Sequence, residues 1–174
     1  MADIKLLPYV HLNGEWTLSD NVLHGFFEQL IEDGTAGVVF ADGYIVSSDQ
    51  FIQFMQQTKN LPVFAFMDNV IVGLAWLNAI TGKHAFAHFV MLKEIWGKHT
   101  DEVGTEIIKY WFMLPNAKGG PMFEVLLGLL PSVNERAQAF IKRLGFKEVG
   151  RIPKMLFDAD KQTFISATLL YIER

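Results

Sequence analysis

The chain contains no cysteine, which excludes thiol nucleophiles, zinc–cysteine centres and a disulfide framework. Long apolar runs are also missing. The longest, Val125 to Leu130, is far short of the ~18–20 residues that cross a bilayer. The opening Met1-Ala2-Asp3-Ile4-Lys5 lacks a basic segment followed by an apolar stretch, so no signal peptide is read and a soluble cytoplasmic protein is expected. Excess positive charge is absent: 15 Lys and Arg against 19 Asp and Glu give a net charge of −4. That balance speaks against a dedicated partner among nucleic acids or anionic membranes, though not against a small anionic ligand held at a local site. No Pro/Ser-rich linker, low-complexity tract or internal repeat divides the sequence, and one domain over residues 1–174 is expected.

What is present is apolar and aromatic. Of the 174 residues, 51% are hydrophobic and 15 are Phe, enough apolar area to offset the entropy of ordering and to exclude a disordered chain. Short elements with brief turns point to an α/β or α+β fold. Ile4 to Val10 reads as a first strand. Ser19-Asp20 caps a helix whose apolar residues Val22, Leu23, Phe26, Phe27, Leu30 and Ile31 run to Gly34. Asp42-Gly43 between two β-rich triplets in 38–46 predicts a hairpin, and Ser47 or Ser48 caps a second helix with Phe51, Ile52, Phe54 and Met55 inward.

The middle of the chain predicts three consecutive antiparallel strands, 61–67, 70–80 and 83–92, turning at Asp68-Asn69 and Thr81-Gly82. From Asp101 the period becomes helical, with Val103, Ile107, Ile108, Trp111 and Phe112 on one face. Residues 122–130 form a nearly unbroken apolar run, expected as a strand buried on both faces. A helix over 134–144 follows, with Gly145 in the left-handed cap position and Phe146 folding back onto its last turn. Two strands, 147–157 and 162–172, close the chain.

The segment Pro131-Ser132-Val133-Asn134-Glu135-Arg136-Ala137, continuing to Phe140-Ile141-Lys142-Arg143-Leu144-Gly145-Phe146, resembles the end of GNAT acyltransferases. There a strand leads to an Asn, then a helix with Ala three residues later, and Leu-Gly-Phe before a closing hairpin. The order of elements resembles that superfamily along nearly the whole chain. The Trp96-Gly97-Lys98 start, the Tyr171-to-Arg174 ending and the size look similar to small phage- or prophage-encoded GNAT-like proteins.

The resemblance implies a mostly antiparallel mixed sheet splayed between the family's fourth and fifth strands, flanked by helices. It also implies acetyl-CoA as co-substrate, no metal, and an amine-bearing small molecule or protein as acceptor. The pantetheine arm would lie along backbone near Phe89, Val90 and Met91, much as an added β-strand does. The pyrophosphate would sit on the loop and helix start containing Gly97, Lys98, Thr100, Gly104 and Thr105, where unpaired amides favour an anion. His99 stands where the family's loop has a second glycine, and Asp101 and Glu102 place negative charge beside that site. Asn134 is either cofactor-contacting or a helix N-cap; Ala137 and Phe140 follow it on the same helix.

Many members carry a Tyr seven residues after the Asn to protonate the departing thiolate; here that position is Ile141. His88, on one strand face with His84, Phe86, Val90 and Leu92, is the candidate base for the acceptor amine or a structural histidine. Lys142 and Arg143 either approach the adenosine phosphates or are solvated helix charges. The alternative function is a GNAT-fold protein without catalysis: a CoA-binding regulator or an interaction module.

Overall fold

The computed structural model describes residues 3–174. Its elements in chain order are β1 (Ile4–Pro8), β2 (His11–Leu12), β3 (Glu15–Trp16), α1 (Asp20–Glu32), α2 (Ala36–Val39), α3 (Ser48–Met55), β4 (Leu61–Met67), β5 (Val70–Thr81), β6 (His84–Met91), α4 (Thr100–Met113), β7 (Val125–Pro131), α5 (Glu135–Arg143), β8 (Lys147–Asp158) and β9 (Thr163–Glu173). A single 3₁₀ turn, Lys93–Ile95, joins β6 to α4. Seven strands form one sheet in the order β1-β4-β5-β6-β7-β9-β8, and β2-β3 is a separate hairpin.

Alternation along the strands separates two cores. Val63, Ala65, Ala75, Leu77, Ala85 and Ala87 face α4 and α5 with Ile107, Trp111 and Leu144. Phe64, Leu74, Trp76 and Val90 face α1–α3 with Leu23, Phe27 and Phe51. The period of two in the strands meets the helical stripes of the same residues that predicted them. Helix α5 ends as its sequence dictates: Gly145 takes φ +98°, and the Phe146 amide donates to the Ile141 carbonyl at 3.2 Å. That is the bonding of a Schellman cap, and Phe146 is buried beneath it.

Two expectations need correction. Residues 38–46 form no hairpin. The Phe40 amide donates to the Ala36 carbonyl and the Gly43 amide to Phe40, both helical-type turns, while Phe40 and Ile45 are buried in the α1–α3 core. Those two residues serve a helical layer, while Val38, Tyr44 and Val46 are exposed. A hairpin forms instead between β2 and β3, at Asn13-Gly14, where both residues have positive φ as a tight two-residue turn requires. Finally, β7 begins at Val125, and only Leu126 and Gly128 are buried while Leu127 and Leu129 are half-buried. The core beneath α1–α3 draws no residue from β7, so that face of the strand lacks a helical cover.

Among the described residues no helix is long and apolar enough to cross a membrane.

Candidate functional site

The sheet comes apart between β6 and β7. These strands run parallel and pair only from His84–Val125 to Phe86–Leu127, and the ladder stops there. On its other side β6 stays paired with β5 as far as Met91 opposite Gly73. The Leu92 amide donates to the Val72 carbonyl at 2.9 Å, which fixes the alternation of the β5–β6 ladder. Val90 and Leu92 therefore direct their main-chain groups at β5, and Phe89 and Met91 direct theirs into the gap. The Met91 carbonyl is taken by Trp96, whose Nε1–H donates to it at 2.9 Å. Phe89 and the Met91 amide thus form an open strand edge.

That edge borders a cleft of about 970 Å³. Phe89, Val90, Met91, Gly97, Thr100, Asn134, Ala137 and Phe140 all line it, so residues singled out along the sequence meet in one space. Lys93, Trp96, Arg136 and Arg143 add cationic and aromatic lining, with the Arg136 guanidinium 4.8 Å from the Trp96 ring centre. The far wall comes from the turn after α1, from α2, and from the tip of the β8–β9 hairpin. The tip is locked by Lys161 Nζ on the Asp158 carboxylate at 2.8 Å, and the Ala159 amide donates to the Ala41 carbonyl at 2.7 Å. Lys161 holds the Asp158 carboxyl below the usual carboxylate range. No signal in the sequence placed this tip at the cleft. A smaller hollow of about 360 Å³, between α1 and β5, receives none of the predicted residues.

Below the 3₁₀ turn, Gly97 takes φ +72° and has open space where a Cβ would stand. Helix α4 starts at Thr100, three residues after Gly97 and four before Gly104. Its Thr100, Asp101 and Glu102 amides have no backbone acceptor among the described residues; Val103 is the first to bond back, to His99. The helix thus begins where its period does, and Gly104 and Thr105, expected among the residues of the anion loop and helix start, lie inside it. Gly104 lies within α4, where an added Cβ would stand 2.8 Å from Leu144 Cδ1, so its role is to let α4 approach α5. Thr105 donates its hydroxyl to the Asp101 carbonyl, and Lys98 is exposed with no ion pair among the described residues. None of these three lines the cleft.

The acidic pair beside the loop is accounted for. Arg143 grips Asp101 with two bonds, Nε to Oδ2 at 2.7 Å and Nη2 to Oδ1 at 3.0 Å. His99 Nδ1 is 3.2 Å from Glu102 Oε2. The Asp101 carboxylate raises the already high pKa of Arg143, and both groups are substantially exposed. Lys142 is engaged elsewhere, with Glu148 at 2.7 Å. Because an exposed pair is screened by solvent, Arg143→Ala should barely change stability. It should weaken binding of a phosphate-bearing ligand at this helix start about threefold to tenfold by freeing a carboxylate beside the unpaired amides, and Asp101→Asn in the same chain should restore it. Calorimetric titration of the two variants checks this.

Asn134 is a helix N-cap. Its Oδ1 accepts from the Ala137 amide at 3.1 Å as an N-cap, and the residue also lines the cleft. Ile141 is buried in the core and offers no proton.

His88 lies two residues beyond the fork, on the α1–α3 face and outside the cleft lining. Its ring stacks on Trp76 at 4.8 Å and 6°, and its Nε2 is 3.0 Å from Asn78 Oδ1. Burial alone lowers its pKa from 6.5 to about 4. A histidine that titrates lower folded than unfolded takes up protons preferentially in the unfolded chain. Its contribution is complete above pH 6.5 and is lost as pH falls toward 4. Urea titrations across that window should show a loss on the order of 2 kcal/mol that His88→Phe lacks.

The sequence matches no family model and no curated protein sequence. Solved structures do match its fold. An acetyltransferase from Salmonella typhimurium that modifies the N-terminal serine of ribosomal protein L7/L12 superposes with a TM-score of 0.75 at 12% identity, covering 98% of this chain and 95% of that one. The fold is that of the GNAT acetyltransferases. Spermidine N-acetyltransferase from Vibrio cholerae, solved with CoA and spermine, gives 0.73 at 13% identity with coverages of 98% and 95%. The microcin C7 self-immunity acetyltransferase, solved with acetyl-CoA and AMP, gives 0.71 at 16% with 98% and 92%. The GNAT fold accounts for the parallel β6–β7 contact and for the gap beyond it.

Proposed function

We propose that the protein is a GNAT-superfamily N-acetyltransferase that moves an acetyl group from acetyl-CoA to a primary amine by direct attack, within one domain spanning residues 1–174. The observation that carries this reading is the unpaired β6 edge at Phe89 and Met91, opening into a cleft bounded by the bare N-terminus of α4. The donor set fits such a co-substrate. A strand edge offers alternating amide and carbonyl to an extended amide-bearing arm. The Thr100, Asp101 and Glu102 amides and the Gly97 turn offer an anion site. Lys93 and Arg136 supply positive charge at the rim, and no metal is required.

The thioester supplies an activated acyl group. Main-chain amides on the β6 edge, fixed by the β5 ladder, polarise its carbonyl without reorganising. Phe89 and Phe140, in edge contact at 5.9 Å, exclude water from that side. His88, neutral at physiological pH, is the candidate to receive a hydrogen bond from the amine. With Ile141 in place of a hydroxyl, the departing thiolate takes its proton from solvent, which a thiol of reference pKa ~8.5 tolerates.

The acetyltransferases of similar fold act on spermidine and on a ribosomal protein N-terminus, which supports an amine acceptor. The buried Ile141 favours a second reading, a CoA-binding protein without catalysis. Thiol release from acetyl-CoA across a panel of polyamines, peptides and amino sugars separates the two: amine-dependent release supports the enzyme, and tight binding without release supports the regulator. The narrower likeness to phage-encoded proteins rests on Trp96-Gly97-Lys98 and the chain ending alone.

A further inference from the structure

The open edge of β6 ends on a side chain. Toward the loop, its main-chain groups facing the gap are the Phe89 amide, the Phe89 carbonyl, the Met91 amide and the Met91 carbonyl. The last of these is occupied. The 3₁₀ turn Lys93–Ile95 brings Trp96 back over the strand end, and its Nε1–H donates to the Met91 carbonyl at 2.9 Å. The edge left to a ligand reads donor, acceptor, donor. A carbonyl facing an open cleft is readily satisfied by water, so folding by itself does not call for an indole there. The same indole carries a cation, because the Arg136 guanidinium lies 4.8 Å from its ring centre and both residues line the cleft. Among the described residues Arg136 has no ion pair. It is the second residue of α5, where a positive charge opposes the helix dipole. Its charge therefore serves the cleft and not the helix.

We infer that Trp96 is a positioning residue that ends the ligand-binding edge, so that the uncharged arm of the co-substrate stops at the Met91 amide and its anionic part turns toward Arg136. This rests on reading the cleft as a coenzyme A site, and adds which side chain fixes the register of the arm. An extended amide chain exchanges hydrogen bonds with Phe89 and the Met91 amide only. Beyond them it meets a carbonyl already bonded to the indole and a guanidinium held flat on the same ring. A bare Met91 carbonyl at that point would turn its lone pairs toward a phosphate, and an acceptor facing an anion repels it. Gly97 follows Trp96 directly at φ +72° with open space beside its α-carbon, so the chain turns away and leaves room for the anion.

The test is NMR and calorimetric titration of the full chain, Trp96→Phe and Arg136→Ala with coenzyme A and with pantetheine, which lacks the phosphates. In the unliganded wild type the Trp96 indole N–H should exchange slowly with solvent. Trp96→Phe keeps an aromatic face for Arg136 and frees the Met91 carbonyl. It should bind coenzyme A about tenfold more weakly, and pantetheine as well as before or better, because the edge gains an acceptor. Arg136→Ala, at an exposed residue, should keep the slow indole N–H, weaken coenzyme A about tenfold and leave pantetheine within about twofold. A purely structural Trp96 would weaken both ligands alike in Trp96→Phe, and that result would overturn the inference. A fast-exchanging indole N–H would overturn it, as would unchanged coenzyme A affinity in Arg136→Ala. So would wild-type binding of coenzyme A with no pantetheine-induced shift at Phe89 and Met91. A slow indole N–H in a wild type that binds neither ligand would overturn the coenzyme A reading itself.

Discussion

Gly73→Val is expected to weaken coenzyme A binding by at least about tenfold and to lower stability by about 2–3 kcal/mol. Gly73 sits on β5 directly opposite Met91. A Cβ there would stand 2.6 Å from Met91 Sδ and 3.0 Å from the Val90 carbonyl oxygen. The sulfur belongs to a flexible side chain and can swing away. The carbonyl cannot, because it belongs to the backbone that forms the open edge. Relief must come from displacing residues 89–91, and the geometry presented to the gap is lost with them. Binding should therefore fall by more than stability alone explains, because the surviving folded molecules carry a shifted edge. Urea unfolding and calorimetric titration on the same sample separate the two effects. Equal destabilisation with unchanged affinity would mean that the edge does not hold the co-substrate.

Trp111→Ala should cost about 3–5 kcal/mol, equivalent to a fall of roughly 10 °C or more in Tm for a chain of this size. Trp111 is fully buried, and its ring lies 5.3 Å from Phe89, between α4 and the strand that bounds the cleft. Truncation opens a cavity against both. Its Nε1–H, however, has no partner although it is sealed from solvent. A buried donor without an acceptor is a standing penalty, and removing it offsets part of the lost packing. Trp111→Phe should thus cost less than half as much as Trp111→Ala. A Phe variant as unstable as the Ala variant would indicate that the indole N–H is bonded after all. Thermal unfolding of the three chains decides it.

Much of this arrangement was readable in the residues because local rules and global packing agree there. The meander limits at Leu61, Met67 and Val70 were set by the turn Asp68-Asn69, whose positive φ values suit those residue types. The α5 region was readable because Asn134, Gly145 and Phe146 each have one good local use. Residues 38–46 misled because β-branched and aromatic residues beside Asp42-Gly43 satisfy a hairpin pattern, whereas burial of Phe40 and Ile45 under α1–α3 is a tertiary demand invisible to periodicity. Gly104 misled for a similar reason: a glycine demanded by helix–helix contact with Leu144 looks like a glycine demanded by a phosphate loop.

The site divides along the same line. Strand and cap residues carried local signals, and they reappear around the cleft. The Arg143–Asp101 pair joins residues far apart in sequence, as does the Ala159–Ala41 bond at the hairpin tip. No spacing rule reaches either. The concern raised by acidic residues beside an anion site disappears only when the arginine that neutralises one of them is seen at the end of α5.

Under the proposed function, coenzyme A lies along the open β6 edge with its phosphates on the start of α4. Backbone-amide NMR during titration with coenzyme A tests it most directly. Saturable shifts concentrated at Phe89, Met91, Gly97 and Thr100 to Glu102 are expected, with little change on β1 and β4. Millimolar coenzyme A without saturable shifts at those amides would contradict it.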